Sequence, residues 1–237
     1  MEGWGGISYS LEAMDLALPP DWRVAPLVKV GEDRADAALD YFLGIPRVEE
    51  GPGLQVVSGP GHAVELTYRN QAHRRERLLG ETPPWSWEEM EPALARADAV
   101  YINFITGFEM DLDTALLLKD RLPIPLYADL HSLFLGISPR GHRHPRPLPR
   151  WREWARAFDG VQANRNELAL LGTESVDGWT AAEDVLGSEL KLIAATLGPS
   201  GSRYLAHPAF RDDPLTWPGL RGINGGREKA RTGVVDP

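Results

Sequence analysis

The sequence predicts an α/β fold: a mainly parallel sheet flanked by helices, with a small lid of strands from approximately residue 50 to 80. Three observations predict it. Apolar runs that read as buried strands end near residues 104, 130, 163 and 197, and gaps of 26 to 34 residues between those ends suit crossovers between parallel strands. Helical patterns fill the gaps. Before residue 86 the chain instead breaks into short, partly alternating runs punctuated by glycine and proline.

The elements follow in order. Residues 8–18 carry apolar side chains near helical spacing and stop at Pro19-Pro20. Residues 24–30 read as a strand, 31–33 as a turn and 34–43 as a second helix. Residues 54–57 and 63–68 read as short strands joined by Gly59-Pro60-Gly61, with a third at 74–79; together they predict a small antiparallel patch. Ser86-x-x-Glu89 matches a capping box and opens a helix to about residue 97. Then come a strand at 99–104, a helix at 114–121, a strand at 124–130 and a helix at 148–158. A short strand at 160–163, helices at 166–171 and 181–190, a strand at 191–197 and a pairing segment at 203–207 complete the pattern. Residues 222–237 are rich in glycine and charge.

Composition narrows the function. The chain has 237 residues, 43% of them apolar, which supports a single domain over 1–237 with a real core. A net charge of −9 argues against a nucleic-acid binder. No stretch reaches the roughly 20 apolar residues of a membrane helix, and the start lacks a basic-then-apolar leader. Cysteine is absent, which removes disulfides, thiolate metal sites and cysteine nucleophiles and fits a cytoplasmic location.

In open α/β sheets, ligands gather at the carboxyl ends of the strands. Each predicted strand delivers small or polar residues there: Asn103, Thr106 and Gly107; Asp129, His131 and Ser132; Asn164, Asn166 and Glu167; Thr196, Gly198, Ser200 and Gly201. Asn164-x-x-Glu167 reads either as a helix cap with its reciprocal glutamate or as an amide and carboxylate beside phosphate, with Glu167 holding Mg²⁺ through water. Thr196 to Gly201 is either a hairpin turn or a glycine-rich bend that admits a nucleotide. Asp129 caps the next segment or lies on the phosphate side. Gly5-Gly6 is a turn or a point of close ligand contact. His142-Arg143-His144 lacks acidic or cysteine partners at zinc spacing. Walker, dinucleotide-binding, nucleophile-elbow and zincin motifs are all missing.

Taken together, these stretches resemble the PfkB (ribokinase-like) carbohydrate kinases. Gly5-Gly6 resembles the family's substrate-side glycine pair, and Val28 to Asp33 resembles its glycine-acid turn. Residues 53–80 resemble its lid, and Ile102 to Gly107 its N-x-x-G element. Asp129-x-His131-Ser132 resembles a segment of its central sheet. Asn164-x-x-Glu167 resembles its N-x-x-E motif, and Thr196-x-Gly198-x-x-Gly201 its T-x-G-x-x-G nucleotide segment. The resemblance implies a ribokinase-like three-layer α/β/α fold. It implies ATP-dependent phosphoryl transfer to a hydroxyl of a sugar, nucleoside or related polyol, with ATP and Mg²⁺ as cofactors.

It also assigns Thr196, Gly198 and Gly201 to the nucleotide, and Asn164, Glu167 and Asp129 to the phosphate and metal region. Gly5 and Gly6 go to the substrate. The family's first strand and the Asn after its glycine pair are not matched; Ser10 stands at the latter position. Thr232 to Pro237 resembles the approach to the family's D-[TP]-T-G-x-G-D motif, so the catalytic Asp is expected beyond Pro237. The resulting expectation is a domain incomplete at both ends and a very weak or inactive kinase. The alternatives are a non-catalytic nucleotide- or sugar-binding module and an unrelated doubly wound enzyme. Open strand edges in the lid add the expectation of a homodimer.

Overall fold

The structure, a computed structural model, describes residues 3–49, 53–70, 73–223 and 230–236. Two compact units emerge. One comprises Met1–Pro84 and Ile137–His144, the other Trp85–Gly136 and Pro145–Pro237. Among the described residues no helix is long and apolar enough to cross a membrane.

The first unit begins with α1 (Gly6–Ala17). Its end is set by Pro19, which excludes helical geometry from the residue before it; Leu18 is extended, at φ −71° and ψ 149°. β1 (Leu27–Gly31), α2 (Ala35–Leu43) and β2 (Gly53–Val57) follow. β3 (Ala63–Asn70) and β4 (His73–Leu79) form an antiparallel hairpin.

All the strands expected between 53 and 80 are present, but the single antiparallel patch is corrected. β2 pairs in parallel with β1, Leu54 opposite Val28. That pairing places Val28, Val30 and Leu54 on the buried cluster of Leu11, Ala38 and Phe42. Burial of these side chains fixes the partner, as it fixes register wherever one strand face is dry. Glycine closes the junction: a Cβ on Gly31 would sit 2.0 Å from the Gly61 nitrogen, so the 59–61 turn crosses where only hydrogen fits.

The second unit starts with α3 (Trp87–Leu94). Its capping box is complete: Ser86 Oγ accepts from the Glu89 N–H, and Glu89 accepts from the Ser86 N–H at 2.9 Å. β5 (Val100–Asn103) leads to α4 (Leu112–Arg121), capped by Asp111 and ended at Leu122 ahead of Pro123. β6 (Leu126–Asp129) and a 3₁₀ turn at His131–Phe134 follow; the short paired strands β7 (Leu135–Ile137) and β8 (Arg143–Pro145) then bracket the Ile137–His144 segment, which is counted with the first unit.

α5 (Trp151–Arg156) is shorter than the expected 148–158, because Pro149 has no N–H and Arg150 sits left-handed at φ 55°. β9 (Gly160–Asn164) runs into α6 (Arg165–Ala169). α7 (Gly178–Glu183) starts earlier than expected, since Asp177 caps it by accepting from the N–H groups of Trp179 and Thr180. β10 (Leu192–Thr196), β11 (Ser202–Ala206), a 3₁₀ segment at Pro214–Leu220 and β12 (Arg231–Val235) complete the unit.

These strands form one six-stranded sheet in the order β12-β11-β10-β9-β6-β5. β5, β6, β9 and β10 are parallel, as expected; β11 is antiparallel to β10, and β12 to β11. Strand alternation divides the sheet into two unlike faces. Ile102, Ala128, Val161, Ala163, Ile193, Ala195 and Leu205 are buried. Their alternates Tyr101, Asn103, Tyr127, Asp129, Gln162, Leu192, Ala194 and Tyr204 are only half-buried.

The amino ends of the strands are bound by charge. Asp159, 0% exposed, accepts from Lys119, from Arg221 Nε at 2.9 Å and Nη2 at 2.7 Å, and from the Leu126 N–H at 2.9 Å. Arg221 also donates to the Leu122 and Ile124 carbonyls. Nearby in sequence, buried Lys191 donates to the carbonyls of Gly187 and Ile223, both at 2.6 Å. Burial lowers the Lys119 amine to about 8 despite its carboxylate partner.

Candidate functional site

The opposite, carboxyl edge collects the polar residues. Register makes the alignment explicit: Asn103 is opposite Asp129, Asp129 opposite Gln162, and Asn164 opposite Thr196. The strand ends thus bring Asp129, Asn164 and Thr196 to one edge of the second unit.

Asn164 ends β9 in extended conformation and opens α6. Its side-chain oxygen accepts from the N–H groups of Asn166 at 2.9 Å and Glu167 at 3.0 Å, and Glu167 Oε2 accepts from the Asn164 N–H at 2.7 Å. The capping reading of Asn164-x-x-Glu167 therefore holds geometrically. The cap also aims the carboxylate. Glu167 Oε1 accepts from Asn164 Nδ2 and from His131 Nδ1, while only 8% of the Glu167 side chain is exposed.

His131 belongs to the turn after β6, where its N–H donates to Asp129 Oδ1 at 3.1 Å. Asp129 thus caps the segment it precedes. Its Oδ2 accepts from Gln162 Nε2 at 3.0 Å, and Gln162 Oε1 accepts from the Tyr127 hydroxyl at 3.3 Å. Burial pushes the Asp129 carboxyl above its usual range and Glu167 adds to the rise, while the His131 N–H and ring and Gln162 oppose it. An anionic pair sharing one histidine is a place that welcomes positive charge.

The loop after β5 is tied to this turn. Glu109 accepts from the Thr106 N–H and hydroxyl and from the Gly107 N–H. Ser132 donates its hydroxyl to the Ile105 carbonyl at 2.6 Å and its N–H to the Phe104 carbonyl. Gly107 is required twice: its φ is 86°, and a Cβ would meet the Ser132 carbonyl oxygen at 2.7 Å.

Thr196 to Gly201 forms the β10–β11 hairpin turn, closed by the Leu197 N–H to the Gly201 carbonyl at 2.8 Å. Gly198 and Gly201 have φ of 60° and 76°. Nothing lies within 4 Å of a Cβ built on Gly198, so backbone conformation rather than crowding selects glycine there. Gly5, in the first unit, caps α1 at φ 65° with its Cβ position equally open, and Gly6 is the first residue of that helix.

Magnesium can be tested against these groups. Among the described residues no group of three or more His, Cys, Asp or Glu forms a metal cage. Both Glu167 oxygens already accept protein hydrogen bonds. Magnesium usually keeps several waters and takes one or two carboxylates plus substrate phosphates. Asp129 and Glu167 fit such an ion through water, and do not fit direct enclosure.

Sequence spacing missed three participants: His131 as the partner of Glu167, Gln162 as the partner of Asp129, and Glu109 as the clasp of the Thr106–Gly107 loop. Gln162 was within reach, since it precedes Asn164 by two residues and so shares its face of β9.

No family model matches the chain, and no curated protein does. Solved structures do. A pyrophosphate-dependent kinase in the ribokinase family, complexed with a pyrophosphate analog and myo-inositol, aligns with a TM-score of 0.62 at 16% identity, covering 90% of this chain and 74% of that one. Ribokinase from Thermotoga maritima aligns with a TM-score of 0.56 at 17% identity, covering 79% and 58%. This chain has the ribokinase-like fold. Fructokinase with bound ATP from Xylella fastidiosa aligns at 15% identity with a TM-score of 0.58, covering 77% and 58%. The ribokinase-like chain therefore spans less than two thirds of the Thermotoga and Xylella enzymes it resembles.

Proposed function

We propose that the carboxyl edge of the second unit is a phosphoryl-donor site, and that the reaction class is transfer from a magnesium-bound polyphosphate to a hydroxyl of a sugar, nucleoside or polyol. One observation carries the reading: strand register sets Asn164 beside Thr196, with the Asp129 and Glu167 carboxylates on the same edge. In this assignment Asp129 and Glu167 hold Mg²⁺ through water. Bound there, the ion neutralises phosphate charge, which is most of what phosphoryl transfer asks of a protein beyond positioning. Thr196, Gly198 and Gly201 bring backbone close to a nucleotide, Asn164 orients Glu167, and Gly5 and Gly6 are assigned to the acceptor. ATP and pyrophosphate are both candidate donors, since solved structures of this fold hold ATP or a pyrophosphate analog.

The test is calorimetric titration with Mg-ATP and with Mg-pyrophosphate, followed by phosphorus NMR of product with a panel of sugars, myo-inositol and nucleosides. Saturable, magnesium-dependent binding is expected. Absence of binding for both donors overturns the reading. A homodimer through the β3–β4 hairpin is a separate proposal, and a monomer by light scattering at high concentration refutes it.

A further inference from the structure

Gln162 is held at both ends of its amide. It lies on β9 opposite Asp129 on β6, and its Nε2 donates to Asp129 Oδ2 at 3.0 Å. Its Oε1 accepts from the Tyr127 hydroxyl at 3.3 Å. A carboxylate only accepts, so the NH₂ end of the amide must face Asp129; the carbonyl end then faces Tyr127, whose hydroxyl donates. Tyr127 is itself placed by its neighbours. Gly160 stands opposite it, where a Cβ would sit 2.7 Å from Tyr127 Cδ2. Tyr101 stacks on its ring with centroids 6.0 Å apart and planes 21° apart, and the Trp217 ring lies at 6.4 Å. At the other end of the chain, Asp129 has a donor on each oxygen: the His131 N–H on Oδ1 at 3.1 Å and Gln162 on Oδ2. Two donors from separate segments fix the plane of a carboxylate that one donor would leave free to swing. Gln162 and Asp129 are only half-buried, so the need to pair dry polar groups does not force this contact.

We propose that Gln162 is a positioning residue for the divalent cation of the donor site, holding the Asp129 carboxylate for the waters of Mg²⁺, with Tyr127 setting the direction in which the amide points. This rests on the donor site proposed above and adds to it a residue that touches neither metal nor phosphate. A partner of this kind orients the carboxylate before the ion arrives. Loss of such a partner typically lowers metal affinity by about 10–100-fold. Asp129 is assigned to the ion through water, so the lower end, about 10-fold, is the expected scale.

The experiment titrates wild type, Gln162→Leu, Gln162→Met and Tyr127→Phe calorimetrically with pyrophosphate and with ATP, in saturating Mg²⁺ and in chelator without it. The ratio of the two affinities is the magnesium-dependent part of binding, and comparing it across variants cancels the solution chemistry of magnesium and polyphosphate. Leucine and methionine fill the space of glutamine without its donor or acceptor, and the unbranched methionine serves if leucine disturbs the strand. Both are expected to lower the ratio by about 10-fold, with metal-free affinity unchanged. Where wild type binds only with Mg²⁺, the magnesium concentration giving half-maximal binding replaces the ratio and is expected to rise by the same factor. Tyr127→Phe is expected to have a smaller effect, because Asp129 alone still attracts the NH₂ end of the amide. In wild type, the Gln162 side-chain amide resonances, assigned by their loss in Gln162→Leu, are expected to shift when Mg²⁺ is added to protein saturated with pyrophosphate. An unchanged magnesium dependence in the Gln162 variants, or stationary amide resonances, overturns the positioning role while leaving the donor site standing. Equal loss with and without Mg²⁺ also overturns it, because the residue would then only support the fold, and so does a larger effect from Tyr127→Phe than from Gln162→Leu. Failure of wild type to bind either polyphosphate in Mg²⁺ overturns both.

Discussion

Replacing Asp159 by Asn should strongly destabilise the second unit. The substitution keeps shape and volume and removes one charge. In the native protein that carboxylate is fully buried and accepts from Lys119, from two nitrogens of Arg221 and from the Leu126 N–H. After substitution two cations stay inside a largely dry pocket, their side chains 9% and 17% exposed, without a counter-charge. One amide hydrogen also faces donors that formerly met an acceptor. Breaking a buried ion pair from one side costs about 3–5 kcal/mol, a large share of the ~5–15 kcal/mol that a domain has in total. Urea unfolding followed by circular dichroism reads the loss. With a slope of about 3 kcal/mol per molar, the midpoint should fall by roughly 1–1.7 M. Hydrogen exchange at the Leu126 amide should accelerate as a local reporter. Adding Arg221→Met should recover part of the loss, with a coupling of about 1–3 kcal/mol. A single-mutant cost below about 1 kcal/mol, or strict additivity with Arg221→Met, refutes the view that this charge closes the amino edge.

Lys119 gives a pH dependence whose sign is fixed. Burial lowers its folded value to about 8 from 10.5, so between those values the unfolded chain binds the proton more readily and stability should rise with pH; Lys119→Met should flatten that rise in urea midpoints. Above about pH 10 the trend should reverse, because burial raises the Tyr127 phenol and ionisation then favours the unfolded chain. The two glycine turns separate cleanly. Gly107→Ala should cost about 2–4 kcal/mol, since a left-handed backbone and a clash with Ser132 combine. Gly198→Ala should cost only about 1–2 kcal/mol for conformation alone, read as melting temperature. Asp129→Asn should raise stability at neutral pH, read as melting temperature, while weakening magnesium-dependent donor binding; burial disfavours the charge, whose stabilising alternative is the neutral acid present at low pH.

Local signals were legible in the sequence, and long-range ones were not. Ser86-x-x-Glu89 and Asn164-x-x-Glu167 both became complete capping boxes, because every partner lies within one turn. The parallel strands were legible because buried strands are short apolar runs whose ends carry polar residues. β2 was misplaced because a five-residue strand carries no label for its partner; Val28, Val30 and the α2 face decide it. β12 and the strands β7 and β8 hide in sequence rich in Arg, Gly and Pro, where pairing rather than propensity makes the strand. The His131–Glu167 contact joins residues 36 apart, and periodicity stops well short of that distance.

The Asp159 cluster has a temporal consequence. Lys119 precedes Asp159 by 40 residues, whereas Arg221 follows it by 62. At ~5–20 residues per second of synthesis, Arg221 arrives roughly 3–12 s after Asp159. During that interval Lys119 is the one of these two cations already synthesised, and the guanidinium that caps the carbonyls of Leu122 and Ile124 does not yet exist. The order of synthesis thus makes a lysine clasp available to the amino ends of β6 and β9 before the arginine bolt, which waits for the segment after β11.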